Sequence, residues 1–209
     1  MKVLLTTDWY APAVNGVVTS VKNLRRELER RGHEVRILTL SQTTRSREQD
    51  GVTALGSVAA GLIYPGARLR TALAGGYVRE LVEWGPDVVH SHCEFSTFLL
   101  ARRIGEELDV PLVHTYRTVY EEYTHYFSPS VRFGRKAVAL FSRWIASQTD
   151  CLVAPTGKVR FLLESYGVSR PVFVVPSGID LRRCRREPDP CRMAVLKASL
   201  EIPADNLVL

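Results

Sequence analysis

The sequence predicts an α/β fold, a doubly wound parallel sheet covered by helices on both faces. Three observations predict it. Apolar runs of strand length alternate along the chain with stretches of helical period. Glycine or proline punctuates the junctions, as at Gly32, Gly85-Pro86 and Gly167. The strand-like runs end in polar clusters, where sheets of this kind bind their ligands.

The elements follow in order. Val3-Leu4-Leu5 is the first strand. A helix from about Thr19 to Arg31 carries Val21, Leu24 and Leu28 on one face and Lys22, Arg25, Arg26 and Glu29 on the other. Gly32 ends it as a C-cap. Val35 to Leu40 is the second strand, Ser41 to Asp50 a polar loop, and Val52 to Val58 a short strand. Arg70 to Trp84 reads as a helix stopped by Gly85-Pro86. Strand Asp87 to His92, helix Ser96 to Leu108, strand Pro111 to Tyr116 and a long helix near Ser130 to Gln148 come next, the last with Phe133, Ala137, Leu140, Phe141, Trp144 and Ile145 on one stripe expected to pack on the sheet. Strand Cys151 to Ala154, helix Gly157 to Tyr166 and strand Val172 to Val175 complete the alternation. Arg182 to Pro190 then reads as a charged linker, Met193 to Leu200 as a short helix, and Ile202 to Leu209 as a turn into a new strand. A strand with no helix after it reads as a truncation. The expected division is a domain over 1–180 and, over 181–209, a linker with the start of a second domain.

Composition sets the class. The 209 residues are 45% hydrophobic and 24% charged, values of a soluble globular chain. Cys93, Cys151, Cys184 and Cys191 have no CxxC spacing and read as reduced thiols of a cytoplasmic protein. The chain opens on a strand instead of a signal peptide. No run approaches the roughly 18 apolar residues of a membrane span. The net charge of +6 does not choose among phosphate, anionic lipid and nucleic acid, and no nucleic-acid module accompanies it.

The chemistry is expected at the strand ends. Asn15-Gly16-Val17 precedes a helix, where backbone N–H groups and the helix dipole suit a phosphate or a sugar hydroxyl; a plain β–α connection fits the same residues. That loop is not GxGxxG, and the second strand ends Thr39-Leu40-Ser41 without an acid, so a nicotinamide dinucleotide site is disfavoured. His90-Ser91-His92-Cys93-Glu94 puts two histidines on one side of a strand. No further ligands stand at metal-site spacings, so hydrogen bonding to a polyol and ordinary packing are preferred to a metal. His114-Thr115-Tyr116-Arg117 runs into Tyr120-Glu121, a polar and aromatic mixture suited to sugar. Lys158 follows the strand end at Ala154-Pro155-Thr156-Gly157, where a plain helix-surface lysine is the competing reading.

Taken in order, these pieces resemble the retaining GT-B glycosyltransferases of the GT4 type, nearest to diacylglycerol glucosyltransferases and related mannosyltransferases. The resembling residues are Asp8-x-Tyr10-x-Pro12 with Asn15-Gly16-Val17, then Gly32-His33-Glu34-Val35 and Pro86-Asp87-Val88-Val89-His90-Ser91-His92. They continue with His114-Thr115-Tyr116, Tyr120-Glu121-x-Tyr123-x-His125-Tyr126, Ala154-Pro155-Thr156 and Pro176-Ser177-Gly178-Ile179-Asp180. The resemblance implies a Rossmann-like N-terminal half of a GT-B fold that holds the acceptor, paired with a C-terminal half that holds the nucleotide-sugar. The full enzyme would transfer a hexose from a nucleoside-diphosphate sugar to a lipid or other hydroxyl acceptor with retention. It would need neither cofactor nor metal, and would work in the cytoplasm, extending to the inner face of the membrane. The family's donor site uses two glutamates separated by seven residues, and no such pair occurs here, so the 209-residue chain is expected to be inactive by itself. Arg117 stands at the family's histidine position and is the catalytic candidate. Asn15, Gly16, Val17, His92, Glu94, His114, Tyr120, Glu121 and Lys158 are the substrate-binding candidates. A non-catalytic module that binds a polyol or phosphate is the alternative.

Overall fold

The structure is a computed structural model that describes residues 1–60, 68–70, 75–117, 131–178, 181 and 189–206, the side chains of 131–133 aside. It forms two compact units, Met1–Gly178 and Ile179–Leu209.

The first unit is built on strands β1 (Lys2–Thr6), β2 (Glu34–Leu40), β3 (Arg47–Gln49), β4 (Val52–Leu55), β5 (Ser57–Ala59), β6 (Arg68–Arg70), β7 (Val88–Ser91), β8 (Leu112–Thr115), β9 (Cys151–Ala154) and β10 (Val172–Val174). Its helices are α1 (Gly16–Arg30), α2 (Gly75–Trp84), α3 (Ser96–Leu108), α4 (Val131–Ser147) and α5 (Gly157–Ser165). Eight strands make one sheet in the order β10-β9-β8-β7-β1-β2-β4-β3, and β5 and β6 form a separate ribbon. Every pair in the large sheet is parallel except β3–β4.

Side-chain alternation along β1 explains the two covered faces. Val3 and Leu5 join Val35, Ile37 and Val21 of α1 on one side. Leu4 joins Val89, Leu38 and the α2 and α3 residues Leu81, Phe98 and Ile104 on the other. A third cluster, with Tyr116, Leu152, Ala154 and Leu163, sits under α4 and α5.

Several boundaries differ from expectation, each for a local reason. Helix α1 begins three residues early because the Asn15 side chain caps it, accepting from the Val18 N–H at 2.9 Å. The segment expected to be loop contains β3, since Asp50 and Gly51 adopt positive φ and close a two-residue hairpin onto β4. The expected strand over 52–58 divides at Gly56, with β4 parallel to β2 and β5 antiparallel to β6. Arg70 lies in β6, not in a helix, and residues 71–74 lie outside the described set.

The stripe expected on α4 also divides. Ile145 is fully buried and Phe141 packs on the core. Leu140 is 62% exposed and Trp144 39% exposed, with Ala137, Lys136 and Arg143 exposed alongside. The side chain of Phe133 lies outside the described residues. Only one edge of that stripe therefore packs on the sheet.

In the second unit, helix α6 (Pro190–Ser199) begins at Pro190 because the Asp189 carboxylate accepts from the Cys191 N–H at 2.9 Å and proline suits the first turn. Lys197 Nζ ties its end to the carbonyls of Ala204 and Asn206. Of the linker expected over 182–190, Asp189 and Pro190 begin α6, and residues 182–188 and the strand end over 207–209 lie outside the described residues.

Phe98 meets the rings of His114 and Trp144 edge-on, at 5.5 and 6.0 Å between centroids, and is fully buried. Phe98→Ala is expected to destabilise the first unit by about 3–5 kcal/mol, read as a fall in the urea midpoint with the slope unchanged.

Candidate functional site

Register brings the site together. Thr6 pairs with Ser91, and Ser91 with His114, so β1, β7 and β8 finish side by side. The chain then leaves each strand through polar residues. The His92 N–H continues the ladder to the Thr6 carbonyl at 2.8 Å. Thr6, Thr7, Asp8, Ser91, His92, Glu94, His114 and Thr115 are all buried at this edge.

Asp8 is the structural centre of the group. Residue 95, where a capping side chain would stand for α3, is a phenylalanine with no such hydrogen bond. The Asp8 carboxylate supplies the acceptor from another strand, taking the Thr97 N–H at 2.8 Å. Burial pushes its pKa up to about 6, with the Glu94 carboxylate adding to the rise and the α3 hydrogen bonds opposing it.

His90 and His92 are held neutral. His90 Nε2 lies 2.7 Å from Thr115 Oγ1, and its ring lies 4.2 Å from that of His92. Burial lowers both pKa values, with neighbouring histidines and Arg117 lowering them further. His114 Nε2 lies 3.6 Å from Glu94 Oε1, both side chains being buried. The Cys93 thiol approaches Thr7 Oγ1 at 3.5 Å, and burial raises its pKa, which keeps it protonated.

Arg117 closes the group from the end of β8. Its Nη2 and Nε lie 3.2 and 3.4 Å from His92 Nδ1, and its Nη1 donates to Ser177 Oγ at 3.2 Å. Burial draws it below the usual guanidinium value, while Cys93 and Glu94 hold it up.

Not all of this hydrogen-bonding capacity is spent. Thr6 Oγ1, Thr97 Oγ1, His92 Nε2 and both ring nitrogens of His114 are buried without a hydrogen-bond partner among the described residues. Buried polar atoms are ordinarily satisfied, so their concentration at one sheet edge marks a place suited to a polar ligand. Among the described residues no three His, Cys, Asp or Glu side chains gather as a metal-binding group.

The sequence-derived candidates therefore separate. His92, Glu94, His114 and Arg117 come together. Asn15 spends its side-chain oxygen on the α1 cap, Gly16 is exposed, and Val17 packs against the core under α1. Lys158 is exposed in the first turn of α5 and, among the described residues, makes no hydrogen bond or ion pair with the buried group. Tyr120 and Glu121 lie outside the described residues. Asp8, Thr97 and Ser177 enter the network without having been among the candidates. Asp8 was legible, as an acid directly after an apolar strand. Ser177 was not, because its contact depends on how far Arg117 reaches.

Known proteins resemble the chain in family and in fold. The Glycosyltransferase Family 4 profile matches residues 14–183. The alpha-monoglucosyldiacylglycerol synthase of Streptococcus pneumoniae is 33% identical over 190 residues, covering 89% of this chain and 42% of that protein. The protein of the same name from Acholeplasma laidlawii is 32% identical over 189 residues, covering 87% of this chain and 47% of its own length. The chain thus spans about half the length of these curated relatives. The catalytic domain of starch synthase IV from Arabidopsis thaliana, solved with ADP and acarbose, aligns with a TM-score of 0.55 at 14% identity, covering 99% of this chain and 60% of that one. That likeness shows the GT-B type of fold.

Asp8 yields a pH signature. Its folded pKa of about 6 exceeds the unfolded value of about 3.9, so the folded state binds the extra proton and stability falls as pH rises from about 4 to about 6. Asp8→Asn removes that fall while keeping an oxygen for Thr97. The stability of the variant minus that of the wild type should rise by about 3 kcal/mol across the window, measured by urea denaturation at each pH.

Proposed function

The chain belongs to Glycosyltransferase Family 4, and on that premise we propose that it is the acceptor-side half of a retaining glycosyltransferase that moves a hexose from a nucleoside-diphosphate sugar to the hydroxyl of a membrane glycerolipid. The observation that carries the reading is the group of buried Asp8, His92, Glu94 and His114 at the carboxyl edge, with half-buried Arg117 beside it, in which His92 Nε2 and both His114 ring nitrogens have no hydrogen-bond partner among the described residues. A sugar presents many hydroxyls, each able to donate and accept, and a mixed set of acids, imidazoles and a guanidinium matches them.

The roles follow from charge. Glu94, beside His114, is suited to accept from a hydroxyl. Arg117 is a permanent cation at the rim, suited to the sugar or the leaving diphosphate. The exposed backbone N–H groups of the first turn of α1, at Gly16 and Val17, are a second place where phosphate oxygens are favoured. The reading uses no metal or cofactor, and a C-terminal half supplies the rest of the donor site. Glucose and diacylglycerol, the chemistry in the relatives' names, are the first donor sugar and acceptor to try.

A lipid acceptor calls for access to a bilayer. Among the described residues no helix is long and apolar enough to cross a membrane. The outer face of α4 instead presents Leu140 and Trp144 beside Lys136 and Arg143, a combination suited to the surface of an anionic bilayer. This supports peripheral attachment.

Two measurements test the proposal. Residues 1–178 fused to the C-terminal half of the Streptococcus pneumoniae relative should form glucosyldiacylglycerol from UDP-glucose and diacylglycerol vesicles, whereas the 209-residue chain by itself should not. A folded chimera that binds UDP-glucose yet transfers nothing to any hydroxyl acceptor counts against the reading. Separately, Leu140→Glu with Trp144→Glu should weaken sedimentation with vesicles containing phosphatidylglycerol by at least about tenfold, from the lost apolar insertion alone.

A further inference from the structure

We propose that Arg117 is a positioning residue that fixes His92 as the neutral tautomer protonated at Nε2, so that His92 meets the ligand solely as a hydrogen-bond donor to a hydroxyl oxygen. The identity of that oxygen rests on the glycosyltransferase reading. The tautomer does not, because it follows from the contacts alone.

A guanidinium has five N–H donors and no acceptor. Arg117 directs Nη2 and Nε at His92 Nδ1, from 3.2 and 3.4 Å. A proton on Nδ1 would face two donors with nothing to accept it. Nδ1 therefore carries a lone pair, and the single proton of the neutral ring sits on Nε2. The imidazolium is excluded on the same ground, since it too requires Nδ1–H. The surroundings agree: His90 on the same strand, His114 from β8 and Arg117 itself all oppose positive charge on the ring, and its burial does so most.

The arrangement is held from both ends. Arg117 is anchored by Ser177, beyond β10, through the 3.2 Å bond to its hydroxyl. The His92 backbone N–H is anchored to Thr6, at the end of β1. The His92–Arg117 pair thus spans the sheet edge from β1 to β10, and neither ring nor guanidinium is free to turn without breaking a bond.

What remains is Nε2–H. It is buried and has no hydrogen-bond acceptor among the described residues. A donor fixed by one neighbour and left unspent by all the others is suited to an oxygen that the chain does not contain. The consequence for mechanism is specific. His92 cannot take a proton at Nε2, which already bears one, so it is not the base of the reaction. Its contribution is a neutral N–H held toward an oxygen.

The test is a long-range proton–nitrogen correlation spectrum of the 209-residue chain labelled with 15N-histidine. His92 should show Nδ1 unprotonated and Nε2 protonated, as one tautomer from about pH 8 to about pH 5, where an ordinary histidine of pKa about 6.5 becomes charged. Arg117→Met should release it into a mixture of tautomers, and Arg117→Lys, which keeps a donor, should restore the single form. Adding glucose should shift the His92 Nε2 resonance of the wild type and leave Nδ1 in place. A wild-type His92 protonated at Nδ1 overturns the proposal. So does an unchanged tautomer in Arg117→Met when the other histidines keep their wild-type shifts, which certifies the fold. Either result leaves the glycosyltransferase reading intact. A correct tautomer with no response to glucose at any concentration overturns the assignment of the hydroxyl and counts against that reading as well.

Discussion

Parallel pairing in register is the constraint on which the rest depends. Once Thr6, Ser91 and His114 are adjacent across three strands, the chain has no freedom about where the following residues go. They leave the sheet at one edge, together, with the first turns of the following helices above them. A parallel sheet buried on both faces spends its strand interiors on apolar packing, so polar chemistry is confined to this edge. The Val3, Leu5 and Leu4 contacts to opposite helix layers are the other side of the same arrangement. They make β1 a central strand and fix its carboxyl end between those of β2 and β7.

Burying so many polar groups at one edge has a cost, and the structure meets it unevenly. Asp8 is compensated by the amides at the start of α3, and His90 by Thr115. Among the described residues, His92 is compensated at Nδ1 and not at Nε2, and the ring nitrogens of His114 have only the 3.6 Å approach of Glu94. A purely structural edge would have no reason to retain such groups, since apolar residues of similar size would fill the space without desolvating anything. The helix contacts show that the same region is also a packing surface: Phe98 touches the His114 ring on one side and Trp144 on the other. Stability and ligand chemistry therefore share residues here, and a change at His114 affects both.

Much of this was legible in the sequence because it depends on local signals. The alternation of apolar runs and helical periods, with Gly32, Gly85 and Gly167 at positive φ after three helices, fixes the order of elements in a way that short windows can read. Helix α3 and strand β9 fall where periodicity puts them. The errors have physical causes. The Asp50-Gly51 turn was passed over inside a polar run whose residues are exposed, so no alternation of apolar side chains announced β3. The α4 stripe looked like a single buried face because apolar residues recur there at helical spacing. Periodicity records which residues share a face and says nothing about whether the sheet is wide enough to cover all of it. The candidates that came together, His92, Glu94, His114 and Arg117, all lie in β8 or shortly after β7 or β8. Asn15 was placed at the right loop, but its side chain is taken by the helix it begins, a use that the residue type equally predicts.

Arg117 is the position where sequence and geometry most need each other. Read along the chain, the resemblance to the glycosyltransferases leads to an expectation of histidine at this place, and Arg117 puts a fixed charge there instead of a titrating ring. The structure gives the substitution a partner. A histidine at 117 would offer His92 either a donor or an acceptor, and the pair could settle into more than one arrangement of protons. A guanidinium removes that freedom, because it can only donate, and its second nitrogen reaches Ser177 as well. It also does so without a carboxylate bonded directly to it among the described contacts, at a site where the nearby Glu94 favours its charge. The gain is a single protonation pattern for His92, whose ring lies 4.2 Å from that of His90. On the glycosyltransferase reading the ligand is a polyol of many similar hydroxyls, and for such a ligand a fixed donor discriminates among orientations, whereas interconverting tautomers accommodate several.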